Sequence, residues 1–255
     1  MAPGPGRFSL DPVWPGLLVF ETGGRATPTA GKRDRMETYE QTLARWMKEP
    51  GDFQVFPEFR DDAGDHPEGF QDYECQFSAE QIRRLKPGSI LDIGSYRQFL
   101  LGLMAHVPVT TIDVRARRSA PANETVITCE ADSLDMADGS FDLVLSLCAI
   151  EHFGLGRYGD RIDFDGDRKV LAEMVRVLRP GGHLVFSTTI HNAPPAVAFN
   201  AHRIYSLEKL HAMCAGLVPV EERFYSHTLA RFCELREVTE NPKWWDVYCG
   251  CWMKP

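Results

Sequence analysis

The sequence predicts an α/β fold: a doubly wound, mostly parallel sheet of seven strands with an N-terminal helical extension. Three observations predict it. From Ser89 onward, short apolar runs alternate with segments of helical spacing, and strands separated by helices build parallel sheets covered on both faces. Several runs end in glycine or an acid, as in "SILDIG" (89–94) and "PVTTIDV" (108–114). The stretch "VRVLRPGGHLVFST" (175–188) passes from an amphipathic helix through Pro-Gly-Gly into another apolar run, the punctuation expected between a helix and a strand.

Residues 1–35 are rich in Gly and Pro, without periodic pattern, and read as a loose arm. In "METYEQTLARWMKE" (36–49), Tyr39, Leu43 and Trp46 share a helical face, and Pro50-Gly51 stops the helix. Residues 51–68 read as loop. "SAEQIRRL" (78–85) reads as a short helix with Ser78 as N-cap, ended by Pro87-Gly88. This sets an arm and helix at 1–68 and the main domain at 69–255. Within that domain "RQFLLGLMAHV" (97–107), "DRKVLAEMVRVL" (167–178) and "SLEKLHAMCAGL" (206–217) are helices. "ETVITCEAD" (124–132), "SFDLVLSLCAI" (140–150) and "HLVFSTTI" (183–190) carry strands. "VEERFYSH" and "WWDVYCGCWMK" read as a terminal antiparallel pair.

The 255 residues carry a net charge of −8, which argues against a nucleic-acid partner. No apolar run is long enough to span a membrane, and the N-terminus lacks the charged start and apolar core of a signal peptide. Seven cysteines, an odd number, are scattered through the chain; they read as reduced thiols of a cytoplasmic protein, a monomer or homodimer. Cys249 and Cys251 have no second pair nearby to complete a zinc site and read as strand residues.

Right-handed crossovers place the strand C-termini along one edge, where open α/β sheets bind ligands. Four polar tips fall there. The first strand ends in Asp92-Ile93-Gly94-Ser95, a tight turn whose amides can meet a ligand. The second ends in Asp113, placed to accept from ribose hydroxyls. The third leads to Asp132 and Ser133, suited to an adenine amino group. The fourth runs through Ser146-Leu147-Cys148 into Glu151-His152.

In "ILDIGS", "TIDV", "CEADSLDMADGSFDLVLSLCAIEH" and "MVRVLRPGGHLVFST", the chain resembles the class I S-adenosylmethionine-dependent methyltransferases over about residues 89–190. The resemblance implies a Rossmann-like methyltransferase fold with S-adenosylmethionine held by Asp92, Gly94, Ser95, Asp113, Asp132, Ser133 and Leu147. The family loop runs Asp-x-Gly-x-Gly-x-Gly, but here Tyr96 and Gln98 stand at the last two glycine positions. A tyrosine there is expected to narrow the pocket or force a different backbone. "DIGSYRQFLLGL", "EHFGLGRYGDRIDFDGD" and "FNAHRIYS" together resemble a family of uncharacterised methyltransferase-like domains that accompany glycan biosynthesis genes. That family carries this altered loop as its own version.

The polar stretch 151–167 follows the fourth strand and so overlies the point of transfer. Methyl transfer needs an aligned acceptor and often a base. His152, with an ordinary pKa near 6.5, suits that base, and Glu151 is the alternative. Asp160 and His202 can bind or deprotonate a hydroxyl, and Arg157, Tyr158, Asn200 and Arg203 can hold the substrate. Arg157 is also placed to pair with Asp160 or Asp163, and Asp165 or Asp167 to cap the next helix. An EF-hand loop from Asp163 would need an acid where Met174 stands, so no metal is predicted. "RARRS" (115–119) reads as a solvated loop, and Trp244 and Trp245 as packing. The expected activity is O-methylation of a small-molecule or glycan-linked acceptor. The alternatives are another enzyme on this fold, using the polar loop with or without a metal, or a non-catalytic binding protein.

Overall fold

The structure is a computed structural model that describes residues 38–58, 68–118 and 120–255. The expected arm at 1–35 and the last residue of the basic run, at 119, lie outside the described residues. The chain divides into two units, Met1–Gly64 and Asp65–Pro255.

In the first unit, helix α1 spans Tyr39–Lys48. Thr38 starts it with a capping box: its hydroxyl accepts from the Gln41 amide at 3.2 Å, and Gln41 answers by accepting from the Thr38 amide at 2.9 Å. Tyr39, Leu43 and Trp46 share one face, and the Trp46 ring meets Phe53 edge-on at 6.1 Å.

The second unit begins with α2, Phe70–Leu85, eight residues ahead of the expected start. The Asp72 carboxylate accepts from the Gly69 amide at 2.8 Å and closes the first turn. Ser78 is therefore not a cap but a fully buried residue in mid-helix. Phe77 and Gln81 share its buried face against the sheet. There follow β1 (Ile90–Ile93), α3 (Arg97–Leu103), β2 (Val109–Asp113), β3 (Glu124–Thr128) and β4 (Phe141–Leu147). Next come α4 (Gly166–Val177), β5 (Leu178–Ile190), β6 (Ala196–Ala198), β7 (His202–Ile204) and α5 (Leu207–Met213). The chain ends with β8 (Val218–Ser226), β9 (Arg231–Cys233) and β10 (Asp246–Met253).

One sheet has the order β3-β2-β1-β4-β5-β10-β8-β9. The first five strands are parallel, and β10 runs antiparallel to both β5 and β8. It holds the seven expected strands and an eighth, β9, whose three residues are too few to show a period. The β6–β7 pair forms a separate ribbon. Alternate residues serve opposite faces. Leu91, Ile93 and Val144 pack with Leu171 and Met174 of α4, while Ile90, Leu143 and Leu145 pack with Phe77 of α2 and Leu100 of α3. Cys249 and Cys251 are buried strand residues on the α2 face, and all seven cysteines are free. At the end of α4 the Lys254 ammonium donates to the carbonyls of Val175 and Leu178, at 2.8 and 2.7 Å. Among the described residues no helix is long and apolar enough to cross a membrane.

Candidate active site

Beside β1 the winding of the sheet reverses, with β2 on one side and β4 on the other. Open α/β sheets bind ligands at such a switch point. A cavity of about 80 Å³ lies there. Gly94 from β1, Asp113 from β2, Ala131 after β3, and Cys148 and Ala149 after β4 line it, and His152, Tyr158 and Asp160 of the polar loop cover it. Small-molecule sites usually measure about 300 Å³ or more, and the reason for the small size is visible. Arg115 donates to both Asp113 oxygens at 3.0 and 2.9 Å and lies over the Tyr158 ring, 4.5 Å from its centre. Burial pushes the Asp113 carboxyl up, but Arg115's guanidinium and amide outweigh it and hold the carboxyl below its ordinary value. Arg161 donates to one oxygen of Asp132. "RARRS" is thus not simply solvated, because its first arginine closes the cavity.

Below this edge sit three buried acids. Asp92 is fully buried and neither oxygen has a partner at hydrogen-bond distance. Burial raises its pKa to about 7, against the opposing pull of Ser95. Glu151 is buried, accepts from the Thr188 hydroxyl at 2.9 Å, and is pushed up to about 8. Glu74, from α2, is equally buried. One oxygen accepts from Ser187 and the other has no partner. Burial raises it to about 7, with Ser187, Cys148 and Tyr96 pulling the other way. Sequence reasoning missed Glu74, which lies ahead of the helix expected at 78–85.

The polar loop is bonded to itself and to the β6–β7 ribbon. Asp160 accepts from the amides of Gly154, Gly156 and Tyr158, at 2.9, 3.2 and 3.1 Å, so its carboxylate organises the loop. Arg157 pairs with neither Asp160 nor Asp163; it donates to the Ala201 carbonyl at 2.8 Å, and Asp163 pairs with Lys169. Asp165 occupies the N-cap position of α4 without a side-chain cap bond. Asp167 is buried and accepts from the Tyr205 hydroxyl at 2.9 Å. Arg203, buried, donates to the carbonyls of Phe153 and Phe164 and lies 3.5 Å from Asp167. Arg203 is therefore a strut between loop and ribbon rather than a group facing the cavity. His152 Nδ1 lies 2.7 Å from the Ala201 carbonyl, which makes Nδ1 the protonated nitrogen and leaves the Nε2 lone pair free, 3.8 Å from Glu151. Burial first, and then the Arg157 charge, lower His152 to about 4, well under the ordinary value expected from sequence. His202 stands 6.5 Å from it, ring to ring, and is lowered for the same reasons.

Many solved structures carry this architecture. Burkholderia thailandensis 1,6-didemethyltoxoflavin-N1-methyltransferase, bound to 1,6-didemethyltoxoflavin and S-adenosylhomocysteine, matches with TM-score 0.55 and 18% identity, covering 72% of this chain and 79% of that one. The N-methyltransferase NodS from Bradyrhizobium japonicum WM9, with S-adenosyl-L-homocysteine, matches with TM-score 0.52 and 19% identity over 72% and 87%. The cyclase SpnF matches with TM-score 0.53 and 14% identity over 86% and 96%. The chain has a Rossmann-like methyltransferase fold. A family model described as "Caenorhabditis protein of unknown function, DUF268" matches residues 125–241, which contain the polar loop and the ribbon. No curated protein sequence matches the chain significantly.

Within this methyltransferase fold the altered glycine loop is accommodated. Gly94 keeps φ +80°, and a Cβ there would lie 2.9 Å from that of Ala149. Tyr96 has φ −63°, open to any residue, and packs its ring into the core; Gln98 is exposed between α2 and α3. Neither lines the cavity, so the expected narrowing by Tyr96 does not occur. Ser95 Oγ accepts from the Leu147 amide at 3.0 Å and ties β1 to β4, and Leu147 itself is core. Ser133 and Asn200 are exposed, and they, Asp132, Arg157 and His202 all lie outside the lining of this cavity. Among the described residues no three His, Cys, Asp or Glu side chains converge to hold a metal.

Gly154 and Gly166 lie back to back where the loop closes on itself. A Cβ on Gly154, at φ +74°, would overlap the Asp163 carbonyl oxygen. Gly154→Ala is expected to cost more than about 2 kcal/mol in urea unfolding. An unchanged midpoint would show that the loop is not closed in this way.

Proposed function

We propose that this chain transfers a methyl group from S-adenosylmethionine to an oxygen of a small-molecule or glycan-linked acceptor. The observation that carries the reading is the convergence of Gly94, Asp113, Ala131 and Cys148, from four successive strand ends, on one cavity at the switch point. The residues fit the cofactor. Gly94 leaves the space a side chain would fill, and Asp113, at the tip of β2, can accept from ribose hydroxyls. Arg115 and Arg161 have 60% and 62% of their side chains exposed, and ion pairs this exposed contribute at most about 1 kcal/mol. A nucleoside can therefore displace them. Two of the structural neighbours were solved with S-adenosylhomocysteine, which supports the same reading.

When bound, the cofactor supplies a methyl group made electrophilic by its sulfonium. The chain's own work is alignment and proton removal. His152 is neutral above a pH of about 4, with its tautomer set by Ala201. Its Nε2 lone pair would take the proton that the acceptor's hydroxyl loses in exchange for the methyl group, with S-adenosylhomocysteine as the leaving product. Glu151 stays protonated below about pH 8 and does not compete as base there. His152→Ala should lower methyl transfer by about 10²-fold or more while leaving cofactor affinity within about twofold. The two are read by product mass and by calorimetry.

Calorimetric titration with S-adenosylmethionine and S-adenosylhomocysteine at neutral pH tests the reading. Micromolar binding supports it, and no binding to either overturns it. The second reading, a different chemistry on the same fold, is favoured by one observation, that Asp113 and Asp132 are already paired with arginines. Absence of binding would move the case to it.

A further inference from the structure

A larger cavity, about 470 Å³, lies across the loop backbone from the first, between the loop and the β6–β7 ribbon. Ile162 and Phe164 of the loop and Val197 and Phe199 of the ribbon line it, and they are 68, 89, 52 and 70% exposed. Folding leaves these four large apolar side chains uncovered, and a contiguous apolar patch of this kind marks a binding surface. Its volume falls within the range of about 300–1,000 Å³ typical of small-molecule sites. The floor is preformed, since Tyr205 and Arg203 are buried and bonded to Asp167. The lining charges do not cancel. Asp165 is paired with Arg168 at 3.2 Å and Asp167 with Arg203, while Lys209 has no acid partner among the described residues.

The cavity is also close to the base. Phe199 lines it, and the carbonyl of Ala201, two residues on, is the one that orients His152. Two residues span at most about 7 Å, so the cavity shares its ribbon with the carbonyl that orients the base.

We propose that this cavity holds the body of the acceptor and that the acceptor is an amphipathic anion. Its hydrocarbon part packs on Phe164 and Phe199. A single carboxylate, phosphate or sulfonate pairs with Lys209. The acceptor role rests on the methyl-transfer reading, but the binding does not.

The probe is anilinonaphthalene sulfonate, an apolar ring system with one negative charge, titrated into the full chain without cofactor. Saturable binding of one probe per chain with enhanced fluorescence is expected. Phe164→Ser with Phe199→Ser should weaken it more than about tenfold, and Lys209→Gln about two- to fivefold. Circular dichroism and the melting temperature should stay unchanged, because both aromatic rings are exposed. No saturable binding, or binding undiminished in the folded double variant, overturns the proposal. So does a concentration-dependent dimer in sedimentation that the double variant abolishes, since a second copy would then be the occupant. Probe binding retained where calorimetry shows no S-adenosylmethionine binding would keep the amphipathic-anion site and remove only its acceptor role.

Discussion

Asp113→Ala weakens S-adenosylmethionine binding at least about tenfold, and Arg115→Ala strengthens it about two- to fivefold. The acid is expected to accept charge-assisted bonds from the ribose hydroxyls, each worth about 1.5–3 kcal/mol. The arginine competes for the same two oxygens from an exposed position, where it contributes about 1 kcal/mol or less. Removing the acid deletes the site, and removing the arginine vacates it. The opposite signs make the test sharp in calorimetry. Equal losses in both variants would mean that Arg115 holds the ligand rather than excluding it, and no effect of Asp113→Ala would move the ribose elsewhere.

Raising the pH from about 5 to about 9 lowers the melting temperature, because the protons that the fold holds on three buried carboxyls outweigh those that burial withholds from His152 and His202. Asp92, Glu74 and Glu151 have ordinary values of 3.8, 4.5 and 4.5, and stand at about 7, 7 and 8 in the fold. Their contribution is complete below the ordinary values and is lost as pH climbs through the folded ones. For Asp92 alone the loss is on the order of 3 kcal/mol, equivalent to a fall of roughly 6–12 °C for a domain this size. Glu74 and Glu151 add to it in the same direction, each raised by burial first and Glu151 further by Glu74's charge. Glu74→Gln should keep more of its stability at pH 9 than the parent does. A melting temperature that is flat or rising across the window would show these carboxyls ionised in the fold.

The parallel half of the sheet was legible because β1, β4 and β5 contain apolar runs, which burial on both faces demands, and because β1 and β2 close on Gly94 and Asp113. The start of α2 was not legible, since Ser78 offers a plausible cap and Gly69-Asp72 a less familiar one. Strand β9 and the β6–β7 ribbon, at three residues each, carry no period. Asp113 and His152 could be placed at the ligand edge from order alone. Their partners could not: Arg161 meets Asp132 across 29 residues of sequence, and Ala201 meets His152 across 49. Glu74 had no signal, because its burial comes from packing of α2 against strand ends far along the chain.

The two arginines bear on turnover as well as affinity. Each carboxylate at the nucleoside edge has a tethered competitor always at hand, so a spent nucleoside is met by groups ready to reclaim its anchors. Departure is then assisted displacement rather than bare dissociation, and occupancy by arginine multiplies the apparent affinity by the unpaired fraction, which lowers it. With the proposed cofactor, such a chain would trade tight retention for rapid clearing of its own product.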